Sequence, residues 1–129
     1  MNKDRLIKAI EEFKNKKIIV VGDVALDKYV YGRIERVNPE NPGAPLLKIE
    51  NKDFRLGCAA NVAKNLISLG AEATLCCVVG DDYHGRIFED LCKKSNIKLF
   101  SVKKGTSIVK ERSIELHYNQ CIMRSDDGE

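Results

Sequence analysis

No stretch of the 129-residue sequence approaches the roughly 18 consecutive apolar residues of a membrane-spanning helix. The first residues, MNKDRLIKAIEEF, lack the apolar core of a secretory signal. These two absences set the expectation of a cytoplasmic protein with no membrane partner. A disulfide pattern is missing as well. Five cysteines, Cys58, Cys76, Cys77, Cys92 and Cys121, form an odd set without regular spacing and without a CxxC pair, which argues against a secreted disulfide framework. His84 and His117 are the only histidines, and neither stands at a metal-ligand spacing from a cysteine. No metal site is expected, and the thiols read as buried and reduced. An excess of one charge is absent too. Lys and Arg number 22 against 19 Asp and Glu, a net +3 spread along the chain, so nucleic acid is not an expected partner. Repeats and low-complexity segments are also missing. What remains is the balance of one globular domain, 43% apolar and 32% charged, long enough to hide about two-thirds of its unfolded surface.

Periodicity supplies the elements. Leu6, Ile7, Ile10 and Phe13 recur at helical spacing among Lys and Glu. The run Ile18-Ile19-Val20-Val21 before Gly22 reads as a strand buried on both faces, as in a parallel sheet. Residues 29–36, YVYGRIER, alternate loosely and suit a strand with one open face. Pro39, Pro42 and Pro45 make 37–45 a loop, and 46–50, LLKIE, is a second short strand. Together they predict a flap standing off the main sheet. A helix over 58–69, a buried strand over 73–80, a helix capped by Asp81 or Asp82 with Ile87, Phe88 and Leu91 inward, and a strand over 97–102 follow. Residues 107–116 and 120–124 pair as a hairpin about His117-Tyr118-Asn119. The order is that of an α/β unit with a parallel sheet. Three parallel strands leave the far edge uncovered just as the chain reaches SDDGE, so part of a larger fold is expected.

Two segments carry candidate chemistry. In LGCAANVAKNLISLG, Asn61, Lys64, Asn65 and Ser68 fall on one stripe of the helical wheel, which a solvated surface accounts for. Gly57-Cys58-Ala59-Ala60 is not explained that way, since a helix start normally carries Ser, Asp or Asn. Small residues there either let a ligand approach the first-turn N–H groups, with Asn61 adding a donor and an acceptor, or serve close helix–sheet packing. The second segment is GDVALDKYVYG. Asp23 and Asp27 follow the carboxyl end of the first strand, where open α/β sheets bind ligands. Asp23 reads as a turn or cap residue and Asp27 as a functional one, accepting hydrogen bonds from sugar hydroxyls or ligating a cation. Lys110 and Arg112, two apart on one strand, share a face and are either a phosphate site or a solvated edge. Neither GxGxxG nor GxxxxGK[ST] is present, and no nucleophile elbow.

The succession GDVALDKYVYG, ERVNPENPGAPLLKIE, LGCAANVAKNLISLG, VVGDDYHGRIFEDL and NQCIMRSDDGE resembles the ribokinase-like (PfkB) sugar kinases. Within them it is most similar to the heptose-7-phosphate kinase half of bifunctional heptose kinase/adenylyltransferases. The resemblance implies an α/β, ribokinase-like fold: a Rossmann-like parallel sheet flanked by helices with a small β-strand lid, of which residues 1–129 are the N-terminal portion, with lid strands at about 29–36 and 46–50. It implies transfer of the ATP γ-phosphoryl group, with Mg²⁺, to a hydroxyl of a sugar, a heptose 7-phosphate in that subgroup. Asp27, Gly57, Cys58 and Asn61 match sugar-contacting positions, Lys110 and Arg112 the substrate phosphate, and the lid a homodimer contact. The family usually has Gly-Gly where this chain has Gly57-Cys58, so a Cβ and sulfur stand against the expected sugar. The family's Gly-Ala-Gly-Asp segment, which carries the catalytic base, has no counterpart here. No catalytic residue is therefore expected in this chain, nor ATP or Mg²⁺ binding by it alone. The rival expectations are a non-catalytic sugar-binding or dimerisation module and a ribokinase- or fructokinase-type substrate.

Overall fold

The computed structural model describes residues 2–128, and the Glu129 that closes the tail pattern lies outside them. Two sheets share one core. The first is three-stranded and parallel, in the order β1-β4-β5, from β1 (Lys17–Val21), β4 (Glu72–Val79) and β5 (Lys98–Lys103). Helix α2 (Ala59–Ser68) packs on β1 and β4, and α3 (Tyr83–Lys94) on β5. Their inward residues Ala60, Ala63, Phe88 and Cys92 meet Ala73, Leu75 and Val79 of β4 in a single cluster. Alternate residues of a strand point to opposite faces, so the same strands send a second apolar set the other way. Ile19, Val21, Val78, Phe100 and Val102 on that side are 55–77% exposed. The first strand is thus covered on one face only, not on both as its β-branched run implies, because none of the described helices packs on the other side. Helix α1 (Lys3–Glu11), capped by Asn2, has the expected amphipathic pattern but buries none of its residues.

The second sheet has four strands in the order β3-β2-β6-β7: β2 (Val24–Arg33), β3 (Lys48–Cys58), β6 (Val109–Glu115) and β7 (Gln120–Asp127). Its outer pairs are antiparallel and its central pair, β2 with β6, is parallel. Three features differ from the sequence reading. The first flap strand begins at Val24 rather than 29. The second runs from Lys48 to Cys58 rather than over 46–50. The expected hairpin, turning at Leu116 to Asn119, joins this sheet instead of standing apart. One face of it, with Leu26, Leu56 and Val109, closes onto the common core, where Leu26 and Leu75 are fully buried.

Asp82 ties the two layers together. Its carboxylate caps α3 by accepting the Gly85 N–H at 2.7 Å, and it accepts the Ser107 N–H and hydroxyl at 2.7 and 2.8 Å. Partial burial opposes its charge, but the Ser107 and Gly85 hydrogen bonds outweigh that and hold the carboxyl at about 2. The backbones here leave no room for a side chain: a Cβ on Gly80 would fall 2.2 Å from the Ser107 nitrogen. Among the cysteines only Cys92 is buried, its thiol pushed by that burial up to about 12. Cys58 and Cys121 are exposed, contrary to the expectation of buried thiols, because both sit at strand or turn positions facing outward.

Candidate functional site at the junction of the sheets

The chain leaves β1 through Gly22 and Asp23 and enters β2 at once. The Asp23 carbonyl accepts the Ala59 N–H at 3.1 Å, which joins the end of β1 to the start of α2. Asp23 thus lies in the connection between β1 and β2. Asp27 lies inside β2, and strand alternation puts Ala25, Asp27, Tyr29 and Tyr31 on the face away from Leu26 and Val30. Register brings Gly57 and Arg55 beside them from β3, and Lys110 and Arg112 from β6.

Gly57 makes room for Asp27. It pairs with Ala25, and a Cβ built on it would lie 2.9 Å from Asp27 Oδ2 and 3.0 Å from the Ala25 carbonyl oxygen. The carboxylate thus rests over the glycine backbone. On its other side Arg112 Nη1 donates to Asp27 Oδ1 at 2.7 Å, with both side chains about three-quarters covered. The hydrogen bond to Asp27 raises the Arg112 pKa above its already high ordinary value. Two residues read separately from the sequence, one toward a sugar and one toward a phosphate, are therefore bonded to each other. Lys110 shares their face.

The small residues at the helix start separate into different roles. Ala60 and Ala63 are fully buried against the core, so close packing explains them. Cys58 is the N-cap residue yet caps nothing with its side chain, and it has φ 52° and ψ −130°. This is the mirror image of extended backbone, which glycine enters without penalty and other residues seldom adopt. Asn61 and Lys64 lie on the exposed face of α2. The four residues Gly57 to Ala60 form the end of a strand and the start of a helix, not a free turn.

Tyr29 and Arg55 were not singled out from the sequence. The Arg55 guanidinium lies 4.3 Å from the Tyr29 ring centre, donates to Asp53 Oδ2 at 2.7 Å and to the Tyr31 hydroxyl at 3.0 Å. Arg112 approaches the same ring at 5.3 Å, and Tyr29 and Tyr31 stack at 6.1 Å. The signal was the i, i+2 spacing of 27, 29 and 31 against 53, 55 and 57, hidden because the charges of NKDFRLG obscure a strand.

The pfkB family carbohydrate kinase model matches residues 15–116, which contain every residue of this site. The chain belongs to that family. Bifunctional protein HldE from Helicobacter pylori strain P12 is 45% identical over 114 residues, covering 86% of this chain and 24% of the relative. Bifunctional protein HldE from Campylobacter concisus is 40% identical over 116 residues, covering 88% and 24%. The chain spans about a quarter of the length of these relatives. Among solved structures, a carbohydrate kinase from Agrobacterium tumefaciens superposes with a TM-score of 0.69 at 21% identity, covering 87% of this chain and 35% of that one. Phosphofructokinase-2 from Escherichia coli in complex with fructose-6-phosphate gives 0.64 at 16% identity, covering 88% and 35%. The two sheets with their helices are thus the N-terminal portion of the ribokinase-like fold.

Proposed function

We propose that this chain is the acceptor-binding part of a sugar kinase whose complete form transfers the ATP γ-phosphoryl group to a hydroxyl of a heptose 7-phosphate. The observation that carries the reading is the Asp27 carboxylate, seated over Gly57 beside the first turn of α2 in a member of the pfkB family. An oriented carboxylate accepts hydrogen bonds from sugar hydroxyls, and the exposed Asn61 amide in the first turn of α2 can both donate and accept. The heptose is favoured over a ribose or fructose acceptor by the 40–45% identity to the HldE proteins. Lys110, on the face of Asp27, is the cation we assign to the substrate phosphate.

We assign neither ATP nor Mg²⁺ to this chain alone, where Arg112 is already bonded to Asp27. Both groups belong to the complete enzyme in this reading, and phosphoryl transfer depends on their positioning. The second sheet is the lid over the sugar. Ile49 and Met123 on its edge strands and Val37 in the proline loop are more than half exposed, which favours a homodimer through the lid.

Calorimetric titration of the chain with heptose 7-phosphate tests the reading. Asn61→Ala weakens binding by about 1–3 kcal/mol as a hydroxyl loses its partner, while Lys64→Ala, one turn further along the helix, leaves it unchanged. Equal affinity of Asn61→Ala and the parent would mean that the helix start serves packing alone.

A further inference from the structure

We infer that Arg112 is a positioning residue that sets the orientation of the Asp27 carboxylate, rather than a ligand of the substrate phosphate. The inference rests on the reading of Asp27 as the sugar-hydroxyl acceptor.

A carboxylate on a strand can rotate about its side-chain bonds, and a hydroxyl acceptor works only if its lone pairs are aimed. Here one oxygen is held and the other occupies the space that Gly57 leaves open. Oδ1 accepts from Arg112 Nη1 at 2.7 Å, and Oδ2 lies over Gly57, where a Cβ would come within 2.9 Å. The guanidinium is constrained in turn. Its Nη1 also points toward the Lys110 carbonyl oxygen at 3.4 Å, and its carbon sits 5.3 Å from the Tyr29 ring centre. The Tyr29 ring is held from elsewhere by its stack on Tyr31 and by Arg55, itself bonded to Asp53. Arg112 thus stands in a supported Arg–Tyr–Arg layer, bonded to Asp27 and with Arg124 opposite it on β7. A residue that must swing to a mobile phosphate gains nothing from such support; a residue that fixes a carboxylate does.

The two roles separate when the phosphate is removed from the ligand. The measurements are titrations of the chain and its variants with heptose 7-phosphate and with the unphosphorylated heptose, alongside urea midpoints. Expected for Arg112→Gln is a loss of about tenfold in affinity for both sugars, in the same ratio. Arg112→Lys, which keeps the charge without the planar fork, recovers part of that loss for both. Asp27→Ala combined with Arg112→Gln is expected to bind no worse than Asp27→Ala alone, because the second change then has no acceptor left to orient. A loss confined to the phosphorylated sugar would make Arg112 a phosphate ligand and overturn the inference. Undiminished binding of both sugars by Arg112→Gln would overturn it and leave the reading of Asp27 standing. A parent chain that binds neither sugar would overturn that reading and the inference with it. If Arg112→Gln fails to fold, Arg112→Lys carries the test: an equal, partial loss for both sugars supports the inference, and full affinity for both overturns it.

Discussion

Replacing Cys58 by glycine is expected to stabilise the protein. Cys58, the last residue of β3, holds φ 52° and ψ −130° immediately before the first turn of α2. A side chain in so sparsely populated a region stores roughly 1–3 kcal/mol of strain. Glycine removes the strain but gives up about 0.5–1 kcal/mol to the greater freedom of its unfolded chain. The thiol is exposed and caps no N–H, so little packing is lost. The balance is a gain of about 1 kcal/mol, which in a chain of this size raises the thermal midpoint by roughly 3–5 °C. Urea unfolding read by circular dichroism gives the same quantity as a shift in midpoint at constant slope. Cys58→Ala is the control, since it keeps the Cβ and hence the strain, and it should match the parent within about 0.5 kcal/mol. If the glycine and alanine variants unfold together, or glycine is the less stable, the strain at residue 58 is absent and the reasoning fails.

Cys58→Gly should also bind heptose 7-phosphate more tightly in titration, because a side chain beside the sugar-facing junction is removed. Gly57→Ala pushes a Cβ against Asp27 and the Ala25 carbonyl oxygen; urea unfolding should show a loss of about 1–3 kcal/mol. Asp82 has a folded value of about 2 against an ordinary 3.8, so its charge stabilises the fold above about pH 4, and that contribution is lost as the pH falls through 2. Asp82→Asn should therefore cost about 2 kcal/mol near neutrality and flatten the acid side of the stability–pH curve between pH 4 and 2. Self-association through the lid should appear in sedimentation at tens of micromolar, where weak interfaces already populate dimers; a clean monomer there would count against it. A coupled assay with heptose 7-phosphate and ATP should show no turnover by the chain alone.

The parallel core was legible because its signals are local. Four β-branched residues before Gly22, the Asp82 cap and the Ala60–Ala63 face each announce an element within a few residues, and each element formed. Strand ends were read less well where charge overrides pattern. NKDFRLG carries Lys, Asp and Arg through the middle of β3, residues that disfavour strands in general yet suit an edge strand with one solvated face. Asp27, Gly57 and Arg112 were all named from the sequence, but their meeting was not. That contact depends on β6 lying parallel to β2 in the register that sets Tyr29 opposite Arg112, a long-range pairing that no local periodicity encodes. The left-handed backbone at Cys58 was hidden for the opposite reason: the residue type there argues against the conformation it adopts.

The Asp27–Arg112 bond joins residues 85 positions apart, with β3, α2, β4, α3 and β5 lying between them in the chain before β6 returns to β2. The pairing therefore orders events in time. At a synthesis rate of about 5–20 residues per second, Asp27 precedes Arg112 by roughly 4–17 s, during which β2 has β3, α2 and β4 to pack against but not β6. A nascent chain with its Rossmann-like layer already formed would still hold a loose carboxylate, until β6 slots in beside β2 and brings Arg112 to it.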